Sequence, residues 1–390
     1  MYYELAADTW NDEEKAAIAE VVASGRFTMG PKVAEFERAF AKSIGRKYAV
    51  MVNSGSSANL VGTAALFFRK HKPFQRGDEA IVPAIAWSTT YSPLQQYGMK
   101  LRFVDVELDT LNMDVSKLEA ALTPRTRMVM GVSILGNPAA LDVMRAFADK
   151  HGLVFFEDNC ESLGAELNSK PAGTFGDIST FSTFFSHHIS TGEGGVATTD
   201  DAELDALMRA VRAHGWTRDV PGNVGVYEPW GDEFKEAYRF ILPGYNVRPQ
   251  ELNAAIGLVQ LKKVDAMTVA RRKNMALFNE LFGNDDRFII QREHGKSSSF
   301  SFTIILNPKR NIDRDRVFAA LRGADIGFRM VTGGCYPRHE AIAHYDYDLV
   351  GGAMTNADIV HDYGFFIGNH PFDLSEQIRR AHDVLDRACN

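Results

Sequence analysis

Four short stretches of this chain carry side chains suited to proton transfer and to gripping a flat, charged ligand. Ser182-Thr-Phe-Phe-Ser-His187-His188-Ile-Ser-Thr-Gly-Glu193-Gly194-Gly195 reads as an apolar strand that ends in polar residues and a tight glycine turn. An imidazole placed there exchanges protons near neutral pH, as a general acid and base must. Asp158 ends the apolar run that starts at Leu153, where its carboxylate can keep a heterocyclic nitrogen protonated. Trp87 offers an aromatic face for stacking, worth on the order of 1 kcal/mol. Ser54-Gly55-Ser56-Ser57 puts small residues where free amides and hydroxyls can surround a phosphate at the positive end of a helix. Taken singly, each has a plainer reading: a capped helix start, a turn aspartate, a core tryptophan.

The elements that must position these residues are legible as apolar runs. Strands are predicted at Tyr48–Asn53, Ala80–Pro83, Leu101–Val106, Met128–Ser133 and Leu153–Asp158, alternating with helical periodicity. Such alternation predicts an α/β fold, a mainly parallel sheet flanked by helices, with sites collected at the carboxyl ends of the strands. Every stretch above falls just after one of these strands or within Ser182 to Gly195, so one cleft can gather them. Within a strand, neighbouring residues face opposite sides, so only one of His187 and His188 is expected in the cleft, and His187 is favoured. Helical periodicity from Pro249 to Lys273 and strand character from Arg287 to Leu306 predict a bridge into a smaller C-terminal α+β domain. The division is drawn at 1–250, with an N-terminal helical segment, and 251–390; Pro221–Asp232 reads as a surface loop.

Composition narrows the function. With 45% hydrophobic and 24% charged residues the chain is an ordinary globular sequence with no repeats or low-complexity tracts. A formal charge of −7 argues against nucleic-acid binding, which needs an excess of Lys and Arg. The N-terminal MYYELAADTWNDEEK lacks an apolar core, so no membrane segment is expected there and the cytoplasm is the predicted compartment. Cys160, Cys335 and Cys389 are too few and too scattered for a four-thiolate iron–sulfur cluster, and no metal site is predicted.

In order along the chain, SGSSAN, the Asp158 strand, the FSHHI loop with its Glu-Gly-Gly turn and GYNVRP at Gly244–Pro249 resemble the DegT/DnrJ/EryC/StrS sugar aminotransferases, fold type I pyridoxal-phosphate proteins. In that family a lysine that tethers the cofactor stands six residues before the glutamate of the turn. Here that position is His187, and no lysine occurs between Lys170 and Lys235. FTMG, IVPAIAWSTTYSPLQQYG, EDNCES, AGTFG, RAHGWTR and GFFIGNH extend the resemblance from Phe27 to His370, toward the family's lysine-less 3-dehydratases of GDP-linked 4-keto-6-deoxyhexoses.

This resemblance implies pyridoxal or pyridoxamine 5'-phosphate held without a covalent bond, His187 as the proton carrier, and L-glutamate as co-substrate in place of an iron–sulfur reductase partner. It implies phosphate contacts at Gly55, Ser56 and Ser182, stacking on Trp87, Asp158 at the ring nitrogen and Glu161 near the ring hydroxyl. Asn246 is implied to reach the neighbouring subunit's cofactor in a homodimer with shared sites, and Arg218 and Arg248 are candidates for a substrate carboxylate or phosphate. Gly334, in MVTGGC, departs from the pattern, leaving the small domain's sugar contacts open. The same chemistry on another nucleotide-linked 4-keto-6-deoxyhexose, or a non-catalytic homologue that binds cofactor or nucleotide sugar, also fits the chain.

Overall fold

The computed structural model describes residues 2–222 and 224–389; Asn223, inside the predicted surface loop, lies outside them. Twelve strands matter for the site: β1 (Tyr48–Val52), β2 (Glu79–Pro83), β3 (Lys100–Val104), β4 (Thr126–Val132), β5 (Val154–Asp158), β6 (Ile178–Ser182), β7 (Gly195–Thr199), β8 (Phe288–Ile290), β9 (Ser301–Leu306), β10 (Phe328–Met330), β11 (Tyr347–Leu349) and β12 (Gly364–Gly368). The principal helices are α1 (Asp12–Ser24), α2 (Pro31–Ile44), α3 (Gly55–Phe68), α4 (Ser88–Gln96), α5 (Leu141–His151), α6 (Ala202–Arg212), α7 (Glu251–Leu261), α8 (Val264–Phe282), α9 (Arg314–Gly323), α10 (Thr355–Tyr363) and α11 (Ser375–Cys389).

The large sheet has the order β1-β7-β6-β5-β4-β2-β3-β11, parallel except for β7, which runs against both neighbours. Its strands are apolar almost throughout because both faces are covered by helices. The five predicted strands stand where expected, within two residues at either end. A four-stranded antiparallel sheet, β8-β9-β12-β10, packs on α8, α9 and α11 around Phe278, Phe302, Leu321 and Ile378.

Two predicted segments divide. The single helix expected over Pro249–Lys273 is α7 and α8, separated at Lys262–Lys263, and the single strand expected over Arg287–Leu306 is β8 and β9, with residues 291–300 looping between them. The units also meet elsewhere than at residue 250. Ala254 of α7 and Met267 of α8 belong to the core around Phe36 and Phe40, whereas Met275, Phe278 and Phe282 of α8 belong to the small-sheet core. We therefore place the division within α8, because a helix cannot leave one core before its last side chain there is buried.

Each unit also borrows from the far end of the chain. Tyr3 bonds the small unit, its amide donating to Asp325 O and its hydroxyl to Gly368 O at 2.6 Å, while β11 closes the edge of the large sheet on β3. Beneath the site, Glu37 of α2 takes Arg212 at 2.6 Å, Arg209 at 2.7 Å and the Met51 amide at 2.9 Å, pinning β1. Burial pushes this carboxyl's pKa upward, but the two guanidiniums hold it below the ordinary range. Taking both arginines away would strand a buried charge, which is strongly destabilising.

Candidate active site

The carboxyl ends of β1, β2, β4, β5 and β6 open into one cavity of about 350 Å³, walled on its other side by Phe300, Arg329, Met330, Thr332 and Phe366 of the small unit. At the end of β1 the chain turns into α3, with Ser54 capping: its hydroxyl accepts from the Ser57 amide at 3.1 Å. Gly55 is needed for close approach, since a Cβ there would lie 2.8 Å from both Cys160 Sγ and Ser182 Cβ. The first amides of α3 and the hydroxyls of Ser56 and Ser182 thus meet at one end of the cavity, the arrangement that accepts a phosphate. Ser56 Oγ is fixed against Thr89 Oγ1 at 2.7 Å.

Asp158, 4% exposed, accepts from Asn59 Nδ2 and Thr90 Oγ1 on one oxygen, both at 2.8 Å, and from the Cys160 amide at 3.1 Å on the other. Among the described residues no cation pairs with it, so a buried carboxylate faces the cavity with only neutral donors. That is the donor set a protonated ring nitrogen would complete. Trp87, 58% exposed, is no core residue; it stands on the cavity rim ahead of α4. Glu161 accepts from the Leu135 amide at 2.8 Å, and burial drives its pKa up to about 7.

The histidine pair sits in a loop, not a strand. β6 ends at Ser182, and the Thr183–Gly194 loop is tied by Thr183 N to Gly194 O, Phe185 N to Gly192 O and His187 N to Phe184 O. The strand-alternation reason for choosing His187 therefore does not apply; the loop's turn sends the two rings different ways. His187 lines the cavity, and His188, 1% exposed, turns into the seam with residues 297–300. His187 Nδ1 lies 2.6 Å from Cys160 O. A carbonyl only accepts, so Nδ1 carries the proton and Nε2 is left free to take another. Burial holds this imidazole below its ordinary pKa, partly opposed by the Cys160 carbonyl and Asp158, which keeps it in the basic form near neutrality.

Seven expected residues converge here: Gly55, Ser56, Trp87, Asp158, Glu161, Ser182 and His187 line the cavity, and Ser54 lines it with them. Three do not. Asn246 is exposed and accepts from Arg248 Nε at 3.0 Å, and Arg218 lies over Trp216 with its guanidinium 5.0 Å from the ring, all outside the cavity of their own chain. The sequence reading missed Asn59, Thr90, Phe300, Arg329 and Thr332. Asn59, one helical turn after Gly55, lay within SGSSAN and was legible by its spacing. Arg329, on a three-residue strand, gave no signal. The MVTGGC segment, left open from sequence, supplies Met330, Thr332 and Gly333 to the wall. Among the described residues no cluster of His, Cys, Asp and Glu is placed to hold a metal ion, and no helix is long and apolar enough to cross a membrane.

Known proteins match this chain over nearly its whole length. It is 46% identical over 387 residues, 99% of its own length and 98% of the relative's, to the GDP-4-keto-6-deoxy-D-mannose 3-dehydratase of Yersinia pseudotuberculosis. Two crystal structures of GDP-4-keto-6-deoxymannose-3-dehydratase share its fold at 43% identity. One, a variant with a histidine replaced by asparagine and GDP-perosamine bound, has a TM-score of 0.95 and covers 98% of this chain and 100% of that one. The other, with a trapped PLP-glutamate geminal diamine, has a TM-score of 0.96 with the same coverage. Residues 8–380 match the family model that describes this fold, and on that match the chain belongs to the DegT/DnrJ/EryC1/StrS aminotransferase family.

Proposed function

We propose that this chain is a 3-dehydratase of GDP-4-keto-6-deoxy-D-mannose, working in the cytoplasm as a homodimer. It removes the carbon-3 hydroxyl to give GDP-4-keto-3,6-dideoxy-D-mannose, and L-glutamate restores the pyridoxamine form of the cofactor with release of ammonia. The observation that carries this reading is His187: an imidazole with Nε2 free faces a cavity that no lysine lines. When bound, pyridoxamine phosphate supplies an amino group for the sugar ketone and a conjugated ring that accepts charge.

The chain's own residues divide the remaining work. Gly55, Ser56 and Ser182 hold the phosphate, Trp87 covers the ring, Asp158 retains the proton on the ring nitrogen, and Glu161 faces the ring hydroxyl. Nε2 of His187 removes a proton and returns it to the oxygen that leaves as water, the same atom acting as base and then acid. Without a lysine, no amine competes for the cofactor's aldehyde, and simple amino transfer to the sugar is disfavoured. Arg329 is the one basic side chain lining the cavity apart from the histidine, against Asp158, Glu161 and Glu193, and no described residue pairs with it. It is suited to anionic oxygens of the nucleotide sugar. Asn246, Arg218 and Arg248, which do not line their own chain's cavity, are assigned to the partner subunit's site.

The test is to incubate the protein with pyridoxal phosphate, glutamate and GDP-4-keto-6-deoxymannose while following ammonia, 2-oxoglutarate and the sugar. Ammonia, 2-oxoglutarate and the 3-deoxy ketone are expected together. A 4-amino sugar formed without ammonia would reveal an aminotransferase, and no turnover at all a binding protein.

A further inference from the structure

His188 takes no part in the chemistry above, yet its surroundings are as fixed as those of its neighbour. Its Nε2 lies 2.7 Å from Ser298 O and 3.0 Å from Ser298 Oγ. The carbonyl can only accept, so the proton is on Nε2 and Nδ1 is a bare acceptor, buried with no partner among the described residues. Leaving a buried acceptor unsatisfied is destabilising. A ring kept at that cost has a use as a ring.

That use lies one contact away. The His188 ring meets Phe300 at 84° with centroids 5.4 Å apart, and Phe300 in turn lies against His187, also at 5.4 Å and tilted by 35°. Phe300 is itself clamped from both units. Its carbonyl accepts from the Asn369 amide at 2.9 Å, and Asn369 Nδ2 donates to Ser299 O at 2.8 Å. From the large unit, Gly136 O accepts from Ser298 N, and a Cβ on Gly136 would fall 2.6 Å from the Ser299 backbone. The GFFIGNH motif, which the catalytic reading left unused, thus supplies through Asn369 the anchor for the residue that touches the base.

We propose that His188 is a positioning residue for His187 and acts through Phe300, the two rings and the Ser298–Asn369 bracket holding the catalytic imidazole in one orientation under an apolar cover. With Nδ1 on the Cys160 carbonyl and Phe300 across its ring, His187 has one rotamer that keeps Nε2 on the cavity. The cover excludes water and so favours the neutral base. The charged and titratable groups around His187 are Asp158 at the end of β5, Cys160 and Glu161 just after it, Glu193 in the loop, Arg329 on β10, Arg271 on α8 and His188 itself. Arg271 is buried, donates from Nε to Asn369 O at 3.2 Å and opposes protonation of both histidines. The proposal rests on the functional reading only in giving the proton to His187.

The test combines kinetics with a readout independent of turnover: NMR titration of isotope-labelled histidine, the His187 signal being identified by its loss in His187→Asn. Phe300→Leu sits on the cavity wall and tests the cover without emptying the core; His188→Leu removes the ring, and His188→Gln keeps a donor for Ser298. In Phe300→Leu and His188→Leu the His187 titration is expected to move up, and the acid limb of kcat/KM with it. The sign follows from hydration restoring the ordinary imidazole pKa. kcat should fall on the order of tenfold while the glutamate KM stays put, with His188→Gln recovering part of the loss. Should His188→Leu fail to fold, Phe300→Leu decides. An unmoved His187 titration in a folded Phe300→Leu protein overturns the proposal. A moved titration in proteins that never turn over the GDP-sugar upholds it and removes the functional reading instead.

Discussion

Asp158 and His187 meet on a single residue: the Cys160 amide donates to Asp158 Oδ1 at 3.1 Å, and the Cys160 carbonyl accepts from His187 Nδ1 at 2.6 Å. The carboxylate assigned to the ring nitrogen and the imidazole assigned to proton transfer are therefore set by one short turn after β5. A shift of that turn would misplace both together, so their spacing is a property of the backbone rather than of two independent side chains.

Replacing His187 by asparagine removes the proton carrier and leaves Asp158, Trp87 and the α3 terminus in place. Dehydration is expected to fall on the order of 100- to 10,000-fold while the absorbance of bound cofactor persists. Unchanged turnover would take the proton away from this residue.

Gly55→Ala tests the approach of α3. With Cys160 and Ser182 already 2.8 Å from the added methyl, the start of the helix must move, at about 1–3 kcal/mol. A lower melting temperature and weaker pyridoxamine-phosphate binding should appear together; loss of neither would mean that the turn has slack.

Glu161 gives a pH signature in the cofactor-free protein. Burial raises its pKa from 4.5 in the open to about 7 in the fold, so its neutral form is the favoured one. Its share of stability is complete below the unfolded value and is lost as pH rises through the folded one. Relative to Glu161→Gln, the native protein should lose melting temperature from about pH 4.5 to 7 and then level off. A constant difference across that window would rule out the raised pKa.

Arg329→Ala should raise the KM for the nucleotide sugar on the order of tenfold to a hundredfold, the loss of one charge-assisted contact. Because Arg329 is exposed and pairs with no described residue, the melting temperature should not change. An unaltered KM would move the anion contact to another residue.

Shared sites can be tested by mixing. His187→Asn and Asn246→Ala homodimers are each expected to be impaired, but half of a random mixture is hybrid and one site in each hybrid is intact. Activity should recover to about a quarter of the native level after co-refolding. No recovery would place Asn246 outside the partner's site.

The large sheet and most of its site were legible because β strands there are apolar on both faces and hand over to Gly, Ser or Asp at their ends. Tyr48–Val52 into Ser54-Gly55 and Val154–Asp158 into Cys160 are the plainest cases. The histidine loop was found by its composition but not by its conformation, since a run of Phe, Ser and Thr has the same strand propensity whether or not it pairs. The cavity's other wall was harder to see. Phe300 sits in a serine-rich loop with no period, and Arg329 on a strand of three residues, so neither carries a local pattern; both come to the site only through the pairing of β9, β10 and β12. The break between α7 and α8 also left no Gly or Pro to mark it.

The crossed ends of the chain bear on how this protein is made. The edge of the large sheet waits for β11, made long after its neighbour β3, and the small unit holds Tyr3, made long before the rest of that unit. Neither half can close its core from its own stretch of sequence. A fragment cut near residue 250 would expose the outer edge of β3 and abandon Tyr3 in water, so the two units should melt in one transition and resist being expressed apart.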